Sequence, residues 1–468
     1  MNILFINPPT MNFYKDLGLN LMPLGIGYLA AMLQKEGHSV YLLDLQSNGT
    51  DVATIDYENY DVVGISSDTP RFNTALRIGQ EARRHKVPVI FGGPHVTFLD
   101  MEPIEKNAAD YVIRGEGEYI LPNLLNALLH DRDIEKIRGL TYRTNGIIHR
   151  NPAAPLIPDL DSLPIPARHL FSNDGYFSHF ERRPVTTVLT SRGCPFDCYF
   201  CSASRIAGLK WRTRSLDSIF DELEFLQKEG YSSFIFVDDN FTLDYRRTMD
   251  FCEEVLFRHW DIRWWCFSRV DTVVRHPEMV KKMAETGNRS VFLGLESGNQ
   301  DTLDIYEKKS TPKQQQQAVQ ILKKNKVQIF GSFILGERHE TKKMIQKTIK
   351  FARKLNIDNC QFSLLTPYPG SRLYEQLDQD EQLTTKNWDQ YDGVHIVFKN
   401  SQLSVKKMQR LLRQAYLGFY LRLSRIPGAL LGIAKEPARI RVNLSRLYSG
   451  ISIFNKIDQG TGSSNDSP

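Results

Sequence analysis

The sequence predicts an α/β protein: an N-terminal doubly wound parallel sheet, then a partial (β/α)6 barrel of the TIM type and a helical C-terminal tail. Three observations carry this. Short apolar runs alternate with amphipathic stretches over the first 140 residues, the alternation resumes after residue 184, and a proline-dense stretch separates the two. In the first part NILFINPP, SVYLLD, DVVGIS, VPVIFGG and DYVIRGEGE read as buried strands, with helical spacing in LGIGYLAAMLQKEG and FNTALRIGQEARRH. Such sheets bind ligands at the carboxyl ends of their strands. The loops there carry Asn7-Pro8-Pro9, Asp44, Ser66-Ser67, Gly92-Gly93-Pro94-His95 and Gly115-Glu116-Gly117-Glu118. Small residues at four of these ends imply a flat or bulky ligand close to the backbone.

Five of residues 151–166 are proline, which forbids helix and favours a stiff, extended connection. Beyond it TTVLTSRGC, SSFIFVDDN, IRWWCFSR, SVFLGLES, QIFGSFILG and CQFSLLTPYPG read as barrel strands, with catalytic groups expected at their carboxyl ends. Glutamines 314–317 read as one solvated helix face. The expected division is a ligand-binding module over 1–140, a Pro-rich linker over 141–183, the barrel over 184–400, a basic helical region over 401–457 and a disordered end over 458–468.

With 41% hydrophobic and 24% charged residues, 468 residues suffice for more than one core. No apolar run approaches the ~20 residues that span a bilayer. The start MNILFINPPT lacks a basic region before its apolar run, so a cytoplasmic location is expected. The net charge of +5 is concentrated: residues 404–457 hold eleven Lys and Arg against Glu436 alone, leaving the rest net acidic, and no nucleic-acid partner is expected. In that tail Leu411, Leu412, Tyr416, Phe419, Tyr420 and Leu423 recur at helical spacing. Two readings stay open: a helical cap on the barrel, or peripheral contact with the inner face of an anionic membrane and a lipid-like substrate.

Six cysteines are too few for a disulfide framework and argue for metal or redox use. Cys252, Cys266 and Cys360 stand alone and read as buried small hydrophobes. Cys194-Pro-Phe-Asp-Cys198-Tyr-Phe-Cys201 directly follows the first barrel strand. Structural zinc takes four protein ligands, and a 4Fe–4S cluster offers four irons, so three thiolates on a cluster leave one iron open. A zinc site completed by a remote histidine is the alternative.

The C-x3-C-x2-C spacing, the aromatic residue before the last cysteine and the barrel context resemble the radical S-adenosylmethionine (SAM) superfamily. The resemblance implies that Cys194, Cys198 and Cys201 hold a 4Fe–4S cluster, that SAM chelates the open iron, and that one electron cleaves SAM to a 5′-deoxyadenosyl radical. Phe236-Val-Asp-Asp-Asn-Phe-Thr242, Gly294-Leu-Glu-Ser-Gly298, Gly331-Ser-Phe-Ile-Leu-Gly336 and Thr366-Pro-Tyr-Pro-Gly370 are similar to later motifs of the same family. By that similarity Glu296, then Asp238 and Arg269, are candidates for contact with SAM. One departure is that Gly336-Glu-Arg-His-Glu-Thr341 lacks the Pro-Gly usual after this strand.

Met22-Pro-Leu-Gly-Ile-Gly-Tyr-Leu-Ala-Ala31, Gly92-Gly-Pro-His95 and Arg114-Gly-Glu-Gly-Glu118 resemble the Rossmann-like cobalamin-binding domain of class B radical SAM enzymes. The resemblance covers roughly residues 1–425. It implies that Pro23, Leu24, Gly25, Ser66, Gly92, Gly93, His95 and Glu116 line a cobalamin pocket. The D-x-H-x-x-G signature of a cobalt-ligating histidine is absent; Asp44-Leu-Gln-Ser-Asn-Gly49 has no histidine, so the lower axial site is expected empty or water-filled. His95 is the alternative ligand. No G-x-G-x-x-G follows the first strand, which argues against a dinucleotide and leaves flavin as an outside alternative.

The expected activity is methyl transfer to an unactivated carbon of a small molecule, with flavodoxin or ferredoxin as electron donor. A cyclase or rearrangement enzyme with the same cofactors, or a corrinoid-binding regulator or carrier, are the alternatives.

Overall fold

The computed structural model describes residues 1–9, 19–48, 52–171, 176–178 and 184–421. In the first module β1 (Asn2–Asn7), β2 (Ser39–Asp44), β3 (Val62–Ser66), β4 (Val89–Gly92) and β5 (Tyr111–Ile113) run parallel in the order β2-β1-β3-β4-β5. Ile3 and Phe5 pack with Ile26 and Leu33 of helix Leu24–Lys35, while Leu4 and Ile6 face Phe72, Ala75 and Ile78 of helix Phe72–Arg84. Cover on both faces explains why these strands are apolar at successive positions. The order reverses between β1 and β3, where such sheets open a crevice at their carboxyl ends.

The stretch expected as linker opens instead with a hairpin. Strands β6 (Leu140–Thr144) and β7 (Ile147–Arg150) extend the sheet antiparallel beyond β5. Asn145 and Gly146 both have positive φ, 51° and 80°, the backbone of a two-residue hairpin turn. The proline-rich chain then runs on, without a strand, to Arg168. That guanidinium donates to the Thr187 carbonyl at 2.8 Å and to Glu222 at 2.5 Å, which pins the connection to the barrel.

In the second module β8 (Val185–Val188), β9 (Ser233–Phe236), β10 (Arg263–Ser268), β11 (Asn288–Glu296), β12 (Gln328–Leu335) and β13 (Asn359–Leu364) are parallel and in chain order. Outside this open barrel the rings of Phe236, Phe241, Phe251 and Trp264 lie 4.7–5.7 Å apart. Cys252, Cys266 and Cys360 are fully buried in the same core. The glutamine run is not a solvated face. Gln314 closes a capping box with Thr311, and Gln315 is buried, donating to the Leu295 carbonyl at 2.6 Å. The amide bonds a carbonyl at the point where the register of β11 on β12 shifts.

Helix Val405–Tyr420 covers the free edge at β13. The Tyr416 hydroxyl donates to the Phe362 carbonyl (2.7 Å) and accepts from its N–H (3.1 Å), and Tyr420 does the same at Cys360 (2.7 and 3.0 Å). Two phenols thus stand in for a seventh strand, the edge protection an open sheet needs. For residues 405–420 the structure is that of a cap. The cations from Arg422 to Lys456, the apolar run from Ile426 to Ala434 and the tail 458–468 lie outside the described residues. No helix among the described residues is long and apolar enough to cross a membrane.

The modules share a core. Trp388, Tyr391 and Val397, beyond the last barrel strand, pack among Phe72, Phe91 and Val96 of the first module. The Trp388 indole N–H donates to the Glu102 carboxylate at 3.1 Å.

Candidate active site between the two modules

Strand β8 ends two residues before Thr190 and Ser191, which Asp238 holds in place. Its fully buried carboxylate accepts from the Thr190 N–H (2.7 Å) and the Ser191 hydroxyl (2.5 Å). Gly193 follows with φ +88°, and a Cβ there would lie 2.1 Å from the Lys210 carbonyl oxygen, so only glycine closes this turn. The turn delivers Cys194. Arg205 clamps Asp197 inside the cysteine loop at 3.0 and 3.2 Å, and Arg372 donates to the Asp197 carbonyl. Cys198 is buried and Cys194 and Cys201 are half-buried.

Burial first, and then the charge of Asp239 at Cys194 and of Cys198 at Cys201, push these two thiols up. Three clustered thiols suit a metal centre, whose charge replaces their protons. Cations flank them. The Arg269 guanidinium lies 3.9 Å from Cys198 Sγ, 3.7 Å over the Phe196 ring, and donates to the Lys308 carbonyl at 2.8 Å. Thiolates on an iron cluster leave net negative charge that Arg269 and Lys308 offset.

Glu296 ends β11 in the left-handed region, φ +61°, where the register of β11 on β12 shifts. Its Oε1 accepts from Lys308 Nζ at 2.6 Å, both groups buried. A Cβ on Gly294 would fall 2.5 Å from Glu296 Oε1 and 2.7 Å from Lys308 Nζ. An anion and a cation at one strand end, beside the cysteines, fit the ammonium and carboxylate of an amino-acid moiety such as SAM's.

Between the modules lies a cavity of about 470 Å³. The strand ends of β1, β3, β4 and β5 line one side, including Ser66, Gly92, Gly93 and Gly115; Ser191, Gly193, Ala203 and Asp239 of the barrel line the other. A Cβ at Gly92 or Gly115 would meet nothing within 4 Å. The missing side chains leave the space a flat macrocycle such as cobalamin would fill. At the wall Glu116 accepts from Arg212 at 2.8 Å twice, Arg192 at 3.1 Å and the Ile157 N–H at 2.7 Å, while Arg192 also donates to Glu118 at 2.6 Å. Burial opposes the charge on Glu116, but these donors hold its carboxyl below the usual range. One carboxylate thus ties the first module, the linker and the barrel together.

The candidates from sequence divide accordingly. Cys194, Cys198, Cys201, Arg269 and Glu296 gather at the barrel mouth, and Leu24, Gly25, Ser66, Gly92, Gly93 and Glu116 line the cavity. Pro23 does not; it precedes the helix whose first residues do. His95 does not either. Pro94 starts a helical turn that carries the His95 ring away from the cavity, 3.9 Å from the Phe72 ring and 4.8 Å from Trp388. Asp238 is saturated by the loop it holds, and its neighbour Asp239, which sequence reasoning passed over, faces the cavity. Lys308 was also passed over; its signal was a lysine twelve residues after Glu296, beyond the intervening helix Gln300–Ile305.

A Radical SAM superfamily model matches residues 188–352 and a B12 binding domain model matches residues 15–125. An uncharacterized methyltransferase of Pyrococcus horikoshii is 38% identical over 431 residues, 90% of this chain and 93% of the relative. An anaerobic magnesium-protoporphyrin IX monomethyl ester cyclase of Rubrivivax gelatinosus is 28% identical, over 90% of this chain and 78% of its own. Among solved structures the methyltransferase TsrM of Kitasatospora setae, with cobalamin and a 4Fe-4S cluster bound, aligns at TM-score 0.67 and 21% identity, covering 81% of this chain and 75% of that one. OxsB with aqua-cobalamin and SAM bound aligns at 0.71 and 18%, covering 97% and 72%. At these identities the likeness to the two structures is one of fold. The two domain matches and the 38% identical relative make the chain a member of the cobalamin-dependent radical SAM enzymes, which use a 4Fe–4S cluster, SAM and cobalamin.

Proposed function

We propose that the protein is a methyltransferase that places a methyl group on an unactivated carbon of a small molecule. The observation behind this reading is a cavity that both modules line. When bound, the three cofactors supply a carbon-centred radical and a methyl donor able to meet it. The chain's own residues do the rest. Cys194, Cys198 and Cys201 bind iron and leave one position open; Glu296 and Lys308 orient the amino-acid end of SAM; Gly92, Gly93 and Gly115 let a macrocycle lie against the backbone. Leu24, Leu29, Ile113 and Leu121 keep the space between apolar, which excludes water from reactive intermediates.

Reaction with methyl-deuterated SAM tests this. A product heavier by the labelled methyl is the expected result. Product without label favours the second reading, cyclisation or rearrangement, which the 28% identity to a cyclase keeps in view. Flavodoxin or ferredoxin is the proposed electron donor. The proposal extends to a lipid-like substrate met at a membrane surface through the basic tail. Flotation with anionic but not neutral vesicles, lost on truncation after Leu421 so that the capping helix is kept, is the expected result; absence of binding at low salt leaves the tail a cap alone.

A further inference from the structure

SAM is a cation at sulfur whatever its surroundings, and a permanent charge brought into an apolar cavity needs a partner there. The carboxylates around this cavity are nearly all committed. Glu116 and Glu118 are held by Arg192 and Arg212, and Asp238 by Thr190 and Ser191. Glu296 is paired with Lys308. Asp239 differs. One of its oxygens accepts from the Gly193 N–H at 3.1 Å, and no lysine, arginine or histidine pairs with it among the described residues. It is exposed, and its side chain opens onto the cavity it lines. Its bond to the Gly193 N–H fixes it one residue before Cys194.

We infer that Asp239 is the counter-ion of SAM's sulfonium and gives the site its preference for SAM over the neutral thioether S-adenosylhomocysteine. This rests on the reading of the cavity as the place where SAM binds. Asp239 is also a carboxylate next to a second one, Asp238, with no positive partner among the described residues. A sulfonium within a few ångströms satisfies it, and a thioether of the same shape does not.

The test uses the full chain, anaerobically reconstituted with iron, sulfide and hydroxocobalamin, and equilibrium dialysis against SAM and against S-adenosylhomocysteine. Asp239→Asn keeps an oxygen for the Gly193 N–H and removes only the charge. The expected result is SAM affinity lowered about tenfold with S-adenosylhomocysteine affinity within about twofold of wild type, at unchanged iron and cobalamin content. Equal weakening of both ligands assigns Asp239 to holding the Gly193 turn and overturns the inference. So does unchanged binding of both. If the wild-type holoenzyme binds neither ligand, the methyltransferase reading itself falls.

Discussion

The two sheets present opposite chemistries to one cavity. The first module offers strand ends almost without side chains, Gly92, Gly93 and Gly115, and its one acid at the wall, Glu116, is spoken for by arginines of the barrel. The barrel offers Asp239 to the cavity and gathers three thiols, Arg269, Lys308 and Glu296 at its mouth. Both follow the rule that parallel strands gather function at their carboxyl ends. They differ in what is recognised. A large neutral surface is received by shape, for which absent side chains suffice; a cluster and a small charged molecule are received by ligation and charge, for which each side chain must be placed.

The sharpest break of that contrast is at the cysteines. Replacing Cys194, Cys198 or Cys201 by Ala is expected to abolish iron–sulfur absorbance and 5′-deoxyadenosine formation while leaving cobalamin binding in place. Cys252, Cys266 and Cys360, equally cysteine but buried in the core, are expected to leave both signals intact on the same change. Loss of cluster in the second set with retention in the first moves the site elsewhere.

The complementary change tests the shape side. Gly92→Leu puts a side chain into open cavity without a clash in the protein, since a Cβ there meets nothing within 4 Å. Cobalamin affinity, measured by equilibrium dialysis, is expected to fall at least about tenfold, a loss of about 1.4 kcal/mol or more. The cluster spectrum is expected to stay. Cobalamin bound as in wild type means that the glycine floor is not where the macrocycle lies.

What was legible in the sequence follows the same division. The cysteine loop is contiguous, so spacing alone exposed it, and a run of strand-end glycines announces close approach without any knowledge of the sheet. Side-chain direction was not legible. Whether Asp238 or Asp239 meets the cavity depends on how the chain turns after Phe236, and Asp238 is taken by Thr190 and Ser191 from another strand's end. Lys308 finds Glu296 only once the chain returns from a helix. The Asn145-Gly146 hairpin has a local signal, a two-residue turn between alternating strands, inside the stretch expected as linker. Gln315 looked like surface because polarity was taken for exposure; its strand-end carbonyl partner is a tertiary fact.

A smaller effect is expected at the wall joining the modules. Glu116→Gln leaves Arg212 without its carboxylate and Arg192 with Glu118 alone. Breaking a largely buried pair costs about 3–5 kcal/mol, and the network's remaining pair brings the expectation to about 2–3 kcal/mol at neutral pH. Because the Glu116 carboxyl is held below its usual range, its contribution is present above about pH 4.5, its ordinary value, and is lost as pH falls through the lowered one. Thermal unfolding of wild type and variant is therefore expected to converge in acid. A gap that persists there marks a packing role instead.

The smallest change is at His95, and it bears on whether the first module contributes any side chain to cobalt. The ring is buried against Phe72 and Trp388, with Nδ1 3.2 Å from the Thr69 hydroxyl and Nε2 facing Glu102 at 3.9 Å. It fills the junction behind the Gly93-Pro94 turn rather than the cavity in front of it. His95→Ala is expected to lower stability by about 1–2 kcal/mol through lost packing. The cobalamin spectrum is expected to remain that of a cobalt without a histidine ligand. Burial, partly countered by Glu102, holds the imidazole below its ordinary value of 6.5, so the folded state resists protonation and wild-type stability declines as pH falls below that value. Removing the ring is expected to flatten that part of the pH profile. A nitrogen hyperfine signal at cobalt that disappears in the variant would place His95 on the metal, and the first module would then recognise its ligand by a side chain after all.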